Sequence, residues 1–583
     1  MEKEKLPTKD SDVRKKKVLV FGIDGGTFDL LLPWMEKGLL PNLKKIKEGG
    51  ISGVLKSSIP PVTVPAWNSF MTGKNPGKHG VYFFLVKRPD SYEEIPVNFS
   101  NMEGRTLWEI LSDQGYKVGV LNVPLTYPPQ RVNGVLISGF LTPAGKRDFM
   151  YPPQLVDEIE EKFGKYYLHP RNLDIDAYFS NKTVAYLLQD CRSMMLYKFE
   201  VTKYLIESRD LDFLMLHIWS TDRIQHLLWN IIDKNHPHYR ADLAEKYYDE
   251  IVSFYSELDR QIGEVIDMHD SSATTFVISD HGFCGVSKSI DLNVWLLKEG
   301  YIKLKRGFLT RLRFFLWRGG FTLEGISRLG LRMMSKMGVW LRNKFVIAPA
   351  DFHNLIYSGK KWLFLSLGDI DWSRTQAYCK PGIGQGQIFI NLKGREPQGV
   401  VNPGQDYENL KKEIIQKLRD FMNEVTGNTV DVELYTKEEI YHGDYLDEMP
   451  DITFLAPNSD YLVGNLMGFA SNRPIGDFAT NTHAYHNMDG IFLAKGESIK
   501  GGTTIDGATI MDVTPTILYM MGCKIPKDMD GEVKKEIFKE EFLTQNPIEY
   551  VEPKGGKRKQ RSEMSPQEQE EVMERLRNLG YIE

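Results

Sequence analysis

The chain has 583 residues, 42% hydrophobic and 26% charged, with a formal charge of −5. That length exceeds what one hydrophobic core sustains and predicts two or more packed units, while so weak a charge gives no global case for nucleic-acid binding. Cys191, Cys284, Cys379 and Cys523 lie far apart with no Cys-x-x-Cys pair, which excludes a disulfide scaffold and a thiolate zinc site.

Residues 1 to 16 are polar, and the apolar run Val18-Leu-Val-Phe21 is too short for a signal-peptide core or a membrane span. The expected location is cytoplasmic, with no integral membrane segment. Residues 17 to 23 read as a buried parallel strand that delivers Asp24 at its C-terminal edge, where ligand sites of open α/β sheets lie. The pattern returns at Tyr116–Asn122, Asp212–His217 and Thr274–Asp280, with helical stretches between. This recurrence predicts a mostly parallel central sheet flanked by helices.

Residues 301 to 350 then hold eleven Lys or Arg against one acid, Glu324, together with Phe314, Phe315, Trp317 and Trp340. An α+β stretch follows, with a strand at Gly386–Asn391 and a helix from Tyr407 to Val425. A sheet-like pattern resumes at Asp451–Leu455, and Gly490–Ala494 leads into a last helix ending near Met521. The expected division is a discontinuous core at 17–290 plus 450–525, a cap insert at 291–449 that includes the basic aromatic segment 301–350, and a C-terminal linker and short helix at 526–583. In the tail, Ser565, Pro566 and Glu568 form a capping box, and Val572, Leu576 and Leu579 share one face. A short helix docked on the core is the expectation.

Four places carry chemistry. Asp24 ends a strand; Asp222 and His226 stand four apart on one helix face; Asp280-His281 ends another strand; His483-Ala-Tyr-His486 precedes the last one. Carboxylates and imidazoles are ligands for zinc, manganese or iron, and a pair of such ions clamps the entering and leaving oxygens of a phosphoryl group. Each element alone reads as easily as a helix cap or a surface pair. The segment Ile59-Pro-Pro-Val-Thr63-Val-Pro-Ala-Trp places Thr63 just before a helix that begins after Pro65. There a hydroxyl is either an N-cap or a nucleophile supported by free backbone donors.

In combination and in order, Phe21-Gly-Ile-Asp24-Gly-Gly, Thr63-Val-Pro-Ala-Trp-Asn-Ser-Phe-Met-Thr-Gly73, Asn75-Pro-Gly-Lys-His79-Gly80, Asp222-Arg-Ile-Gln-His226, Ser279-Asp280-His281-Gly282 and His486-Asn-Met-Asp-Gly490 resemble the type I phosphodiesterase and nucleotide pyrophosphatase branch of the alkaline phosphatase superfamily. The resemblance implies an alkaline phosphatase-like α/β core with an inserted α+β cap, and two divalent metal ions. Zinc is the expected metal, and manganese or iron suits the same donors. One ion would be held by Asp24, Thr63, Asp280 and His281. The other would be held by Asp222, His226 and His486, with His483, three residues away, as the alternative. It further implies attack by Thr63 on phosphorus, a phosphothreonine intermediate and hydrolysis of a phosphate ester, while His79 and His217 take structural or supporting roles. No Cys-x-Pro-x-Arg of the sulfatases stands at the nucleophile. Nucleotide-cleaving members place an Asn after the His-Gly turn, where this chain reads His79-Gly-Val-Tyr-Phe-Phe84, so a phosphodiesterase is expected without nucleotide specificity.

A phosphomonoesterase or phosphotransferase on the same metals is the alternative enzyme. A membrane-associated binding protein retaining the fold is the alternative outside catalysis. Residues 301 to 345 suit an anionic membrane surface, because Phe308, Leu309, Leu312, Phe315 and Leu316 fall near one helical face beside Arg311, Arg313 and Arg318. A substrate-steering lid and an ordinary cap helix with a solvated basic side are the competing accounts. No nucleic acid partner is expected, since no reading module accompanies the charge. Arg395, just after the strand at 386–391, is a candidate substrate contact, with a salt-bridged turn as the plainer account.

Overall fold

The computed structural model describes residues 16–88, 90–170, 181–270, 272–322, 325, 364–380, 382–384, 386–427, 429–456, 459–465, 468–477, 482–554 and 564–582. Residues 1–15, and the basic segment from 326 to 350, lie outside them.

Ten strands form the central sheet, and two more pair beside its edge. In chain order they are β1 (Val18–Ile23), β2 (Ile51–Lys56), β3 (Val118–Leu121), β4 (Gly134–Ile137), β5 (Met150–Tyr151), β6 (Phe213–Ile218), β7 (Thr274–Ile278), β8 (Gly282–Gly285), β9 (Ala484–Asn487), β10 (Asp489–Lys495), β11 (Thr503–Thr504) and β12 (Ala508–Thr509). The sheet runs β11-β2-β10-β7-β1-β6-β3-β4-β5, with β12 also beside β2. β1 is central and parallel to both neighbours, Val18 facing Phe213 on one side and Thr274 on the other. The pairs β3–β6, β3–β4, β2–β11 and β2–β12 are also parallel. The antiparallel members are β10, between β2 and β7, and the edge strand β5. The sheet is thus mostly parallel, as its apolar runs predict.

Alternate residues of β1 serve opposite faces, which explains why the run is apolar throughout. Val18 and Val20 join a hydrophobic cluster with Trp67, Phe70 and Ile517, whereas Leu19, Phe21 and Ile23 join another with Leu228, Phe199 and Phe254. The first face is covered by helix α1 (Thr63–Thr72), all of whose residues are buried, and by the helix Val513–Met520. The second is covered by α2 (Ser220–Ile232) and the long helices Asn181–Ser208 and Ala241–Met268.

A second, antiparallel sheet joins Ala377–Cys379, Gly386–Ile390, Ile452–Leu455 and Glu433–Thr436, and the helix Gln405–Thr426 contributes to its hydrophobic cluster. The division at residue 450 assigns Ile452–Leu455 to the core, yet its hydrogen bonds join it to Gly386–Ile390 and Glu433–Thr436. A four-residue run, Ile452-Thr-Phe-Leu455, buried on both faces carries no information about which sheet it enters. Further along are α3 (Phe308–Arg318) and α4 (Pro566–Asn578). Among the described residues no helix is long and apolar enough to cross a membrane.

Candidate active site

Two adjacent strands of the sheet, β1 and β7, end on Ile23 and Ile278 and lead into the acids Asp24 and Asp280. Asp24 follows β1, and its N–H donates to Ile218 O at the end of β6 (3.0 Å). The chain then turns at Gly25, whose φ of +66° and lack of a side chain are both needed, because a Cβ there would lie 2.2 Å from the Phe283 ring. The freed Gly25 N–H donates to Asp280 Oδ1 (3.2 Å) and ties the end of β1 to the end of β7. Beyond β6, α2 carries Asp222 and His226 one turn apart. His486 sits in β9, opposite Phe283 of β8, which returns it to the same edge.

The helix α1 starts at Thr63 itself, with Val62 as its N-cap, ahead of Pro65, after which the sequence predicts its start. Pro65 is tolerated because a residue in the first turn needs no amide donor. The Thr63 hydroxyl is therefore not spent on capping, and it bonds His281 Nε2 at 3.3 Å. Ala66 N donates to Val62 O (2.9 Å), which leaves the amides of Thr63 and Val64 as the open donors of this turn.

The imidazoles are held in one sense. His226 Nδ1 donates to Ala484 O (2.8 Å), His486 Nδ1 to Pro61 O (3.1 Å) and His281 Nδ1 to Gly282 O (3.1 Å). With the proton fixed on Nδ1, each Nε2 turns a lone pair inward. His226 Nε2 and His486 Nε2 then face each other at 2.9 Å, and Asp222 Oδ1 stands 3.1 Å from the latter. Three acceptors converge with no proton among them, an arrangement a cation would resolve. Nearby, Asp24 Oδ1 and Asp280 Oδ2 lie 3.5 and 3.2 Å from His281 Nε2, and both are buried oxygens with no hydrogen bond among the described residues. The donor atoms of Asp222, His226 and His486 lie within 4.8 Å of one another, as do those of Asp24, Asp222 and His281. This oxygen and nitrogen set fits divalent ions such as zinc or manganese.

Burial, followed by the repulsion of Asp280 and Asp222, pushes the Asp24 carboxyl well above the usual range. Burial and the nearby Asp222 do the same to Asp280. Burial, with His226 opposing and Asp222 favouring the proton, pulls His486 down to about 4. Buried imidazoles and mutually repelling carboxylates in one pocket form a site short of positive charge.

Residues 18–468 match the model of the type I phosphodiesterase / nucleotide pyrophosphatase family. The chain belongs to that family. It is accordingly a phosphoric ester hydrolase of the alkaline phosphatase superfamily, working with divalent metal ions. No curated protein matches it by sequence. Among solved structures, human ectonucleotide pyrophosphatase / phosphodiesterase 5 is similar at 14% identity over 89% of this chain and 97% of its own, with a TM-score of 0.44. Phosphonoacetate hydrolase from Sinorhizobium meliloti 1021 is similar at 14% identity over 86% and 94%, with a TM-score of 0.46.

Within this phosphodiesterase-family site, Asp24, Thr63, Asp222, His226, Asp280, His281 and His486 come together, and the other candidates do not. The His483 ring packs beside His236, with centroids 5.9 Å apart, while its backbone N–H donates to His226 O (2.7 Å). His217 Nε2 donates to Asp24 Oδ2 (2.7 Å) and so supports the carboxylate from outside. His79 accepts the Val81 N–H at Nδ1 (3.2 Å) and bonds Ser69 Oγ through Nε2 (3.1 Å), which holds the turn behind α1. Arg395 forks onto Asp451, with Nη1 to Oδ1 at 2.7 Å and Nη2 to Oδ2 at 2.6 Å, and its Nη2 also donates to Ile390 O (2.6 Å). These bonds make it the salt-bridged turn rather than a substrate contact, because the guanidinium edge that would face a phosphate is already occupied.

One residue at the site goes unnoticed in the sequence. Tyr581, third from the C-terminus, is buried and donates its hydroxyl to Asp222 Oδ2 at 2.7 Å. A capped helix followed by Gly580 and an aromatic residue is the available signal, since that pattern turns the chain back onto its own helix.

Proposed function

We propose that the chain hydrolyses phosphodiesters through a phosphothreonine at Thr63, with Asp24, Asp280 and His281 holding one zinc ion beside the Thr63 oxygen and Asp222, His226 and His486 holding another. The observation that carries this reading is Thr63 Oγ1, at the first residue of a buried helix, 3.3 Å from His281 Nε2 and uncommitted to capping. When bound, such ions would supply Lewis acidity to the phosphoryl oxygens and favour an ionised hydroxyl. Thr63 Oγ would form a bond to phosphorus as the ester oxygen of the leaving group departs. Water would then replace Oγ, releasing the phosphate monoester and returning a proton to Thr63. The open N–H groups of Thr63 and Val64, at the positive end of α1, suit the charge that builds on a nonbridging oxygen.

The test compares bis-p-nitrophenyl phosphate with p-nitrophenyl phosphate on metal-reconstituted protein, with Thr63→Ala in parallel. We expect faster turnover of the diester and its loss, by about 10^4-fold or more, in the variant. A preference for the monoester would replace this reading with a phosphomonoesterase. Diester turnover that survives in Thr63→Ala would remove the phosphothreonine.

A separate observation favours peripheral attachment to an anionic membrane, such as the inner face of a cytoplasmic membrane. On α3, Phe308 and Phe315 are 78% and 74% exposed and share a face with exposed Leu312. The helix is anchored from its other side by Thr310 Oγ1 and Arg313 Nη1, donating to Asp369 Oδ1 at 2.7 and 2.8 Å, and by the Trp317 indole N–H, which donates to Ser471 O (2.8 Å). Arg306, Arg311 and Arg318 flank the apolar face and are exposed. Apolar side chains fringed by guanidinium groups match lipid tails beneath anionic headgroups. Sedimentation with phosphatidylglycerol vesicles, but not with phosphatidylcholine vesicles, is expected. Equal sedimentation of the Phe308→Ser, Phe315→Ser double variant would sink the membrane reading.

A further inference from the structure

The last residues of the chain reach the metal-ligand cluster from 359 positions away. Their path is built step by step. Ser565 accepts from Glu568 N while Glu568 Oε2 accepts from Ser565 N, which starts α4. Val572 and Leu576 are fully buried, and Arg575 Nη1 donates to Thr142 O (2.7 Å). At the far end Gly580 adopts a φ of +77°, and Tyr581 N donates to Leu576 O (3.0 Å). Only a glycine-type left-handed residue closes a helix this way, and the closure sends the next side chain back toward the core. Arg223 of α2, next to Asp222, donates through Nη1 to Leu579 O (3.3 Å) and fastens the segment to the helix that carries the ligands.

The Tyr581 ring is clasped on the way in. It lies 4.7 Å from the Phe84 ring, 5.9 Å from Phe140 and 6.0 Å from the imidazole of His226, centroid to centroid. Phe140 is followed by Leu141, a non-glycine residue at a φ of +75°. Such a backbone persists only where its surroundings over-determine it. Its carbonyl-side neighbour Thr142 is the residue that receives Arg575. The two oxygens of Asp222 are thereby divided: Oδ1 faces the imidazoles of His226 and His486, while Oδ2 accepts the Tyr581 hydroxyl.

We infer that Tyr581 is a positioning residue of the active site, which orients Asp222 as a metal ligand and makes the C-terminal segment a structural part of that site. A carboxylate held by a hydroxyl at one oxygen presents the other in a fixed direction, and loss of such an outer partner weakens metal binding about 10- to 100-fold. The inference rests on Asp222 being a metal ligand, as proposed above.

The test titrates zinc-loaded full-length protein with a competing chelator and follows metal retained per chain, for wild type, Tyr581→Phe and Asp222→Ala. Tyr581→Phe keeps the ring among Phe84, Phe140 and His226 and removes only the hydroxyl. The expected result is release of one of the two zinc equivalents at about tenfold lower chelator concentration, with the other equivalent and the thermal midpoint of the metal-free protein unchanged. A chain ending at Gly580 makes the same comparison without depending on how a phenyl ring packs, and should lose that equivalent too. Wild-type retention of both equivalents in Tyr581→Phe overturns the inference and leaves the metal reading standing. Equal weakening of both, together with a lower midpoint, also overturns it, in favour of a general packing role. If Asp222→Ala keeps both equivalents, the metal reading itself fails and this inference falls with it.

Discussion

Two groups of buried charged residues, one at the edge of the central sheet and one in the second sheet, look alike in composition and differ in how they are satisfied. In the second sheet, Asp451 accepts from Arg395 twice, from Tyr407 Oη (2.6 Å) and from Ile390 N (2.6 Å), with Lys437 Nζ 3.6 Å away. Burial works against its charge, but Arg395 outweighs burial and holds the carboxyl below its usual range. At the sheet edge, Asp24 and Asp280 have no such cation and are pushed the other way. A buried charge closed by its neighbours is structural. One left open by its neighbours is a place for something that is not protein.

Neutralising one carboxylate in each cluster should therefore have opposite consequences. The larger effect belongs to Asp280→Asn. The amide oxygen can keep the Gly25 N–H, while the amide nitrogen can donate to His281 Nε2, now 3.2 Å from Asp280 Oδ2. Metal-free protein should gain about 1 kcal/mol, because one of the repelling charges is gone. Turnover should fall by about 10^3-fold, or roughly 4 kcal/mol of transition-state stabilisation. Thermal denaturation with chelator and diester kinetics after metal loading measure the two arms. A metal-free variant that unfolds more easily than wild type would break the contrast.

Asp451→Asn should behave in the reverse way. It leaves Arg395 and Lys437 without their shared anion in a buried setting, and stability should drop by about 3–5 kcal/mol. Zinc retention against chelator should not change, since none of the contacts of Asp451 involves the site. A loss of metal in this variant, with the fold intact by circular dichroism, would mean that the two clusters are coupled.

The sequence makes the first cluster readable and the second nearly opaque. Asp24 and Asp280-His281 follow apolar runs, and Asp222 and His226 keep helical spacing, so local pattern places them at one edge of a parallel sheet. His486 needed the resemblance to be preferred over His483. Nothing local links Arg395 to Asp451, 56 residues on, and the plain account of a salt-bridged turn carried no partner. The sequence places the start of α1 after Pro65 rather than at Thr63, because a proline marks the first turn of a helix without fixing which of its positions it occupies. The strand at Ile452–Leu455 was visible, but its sheet was not, since partner choice is tertiary. Tyr581 lay beyond reach for the same reason. Its helix could be read from the capping box, yet where that helix docks depends on Thr142 and Arg223.

The smallest effect probes the tie between that tail and the site. Ser565→Ala removes one half of the box that starts α4, which should cost about 1 kcal/mol of local stability. Because Ser565 lies at the opposite end of α4 from Tyr581, no site contact is altered directly. Amide exchange over residues 566–578 should quicken about fivefold. Some metal affinity should follow, by less than the tenfold expected of Tyr581→Phe, since the tyrosine still reaches Asp222 whenever the helix is formed. Faster exchange with unchanged zinc retention would show that Arg223 and the buried faces of Val572 and Leu576 hold Tyr581 in place without help from the cap. Zinc loss as large as in Tyr581→Phe would instead mean that α4 docks as one unit, so that a defect at its first turn is felt in full at its last.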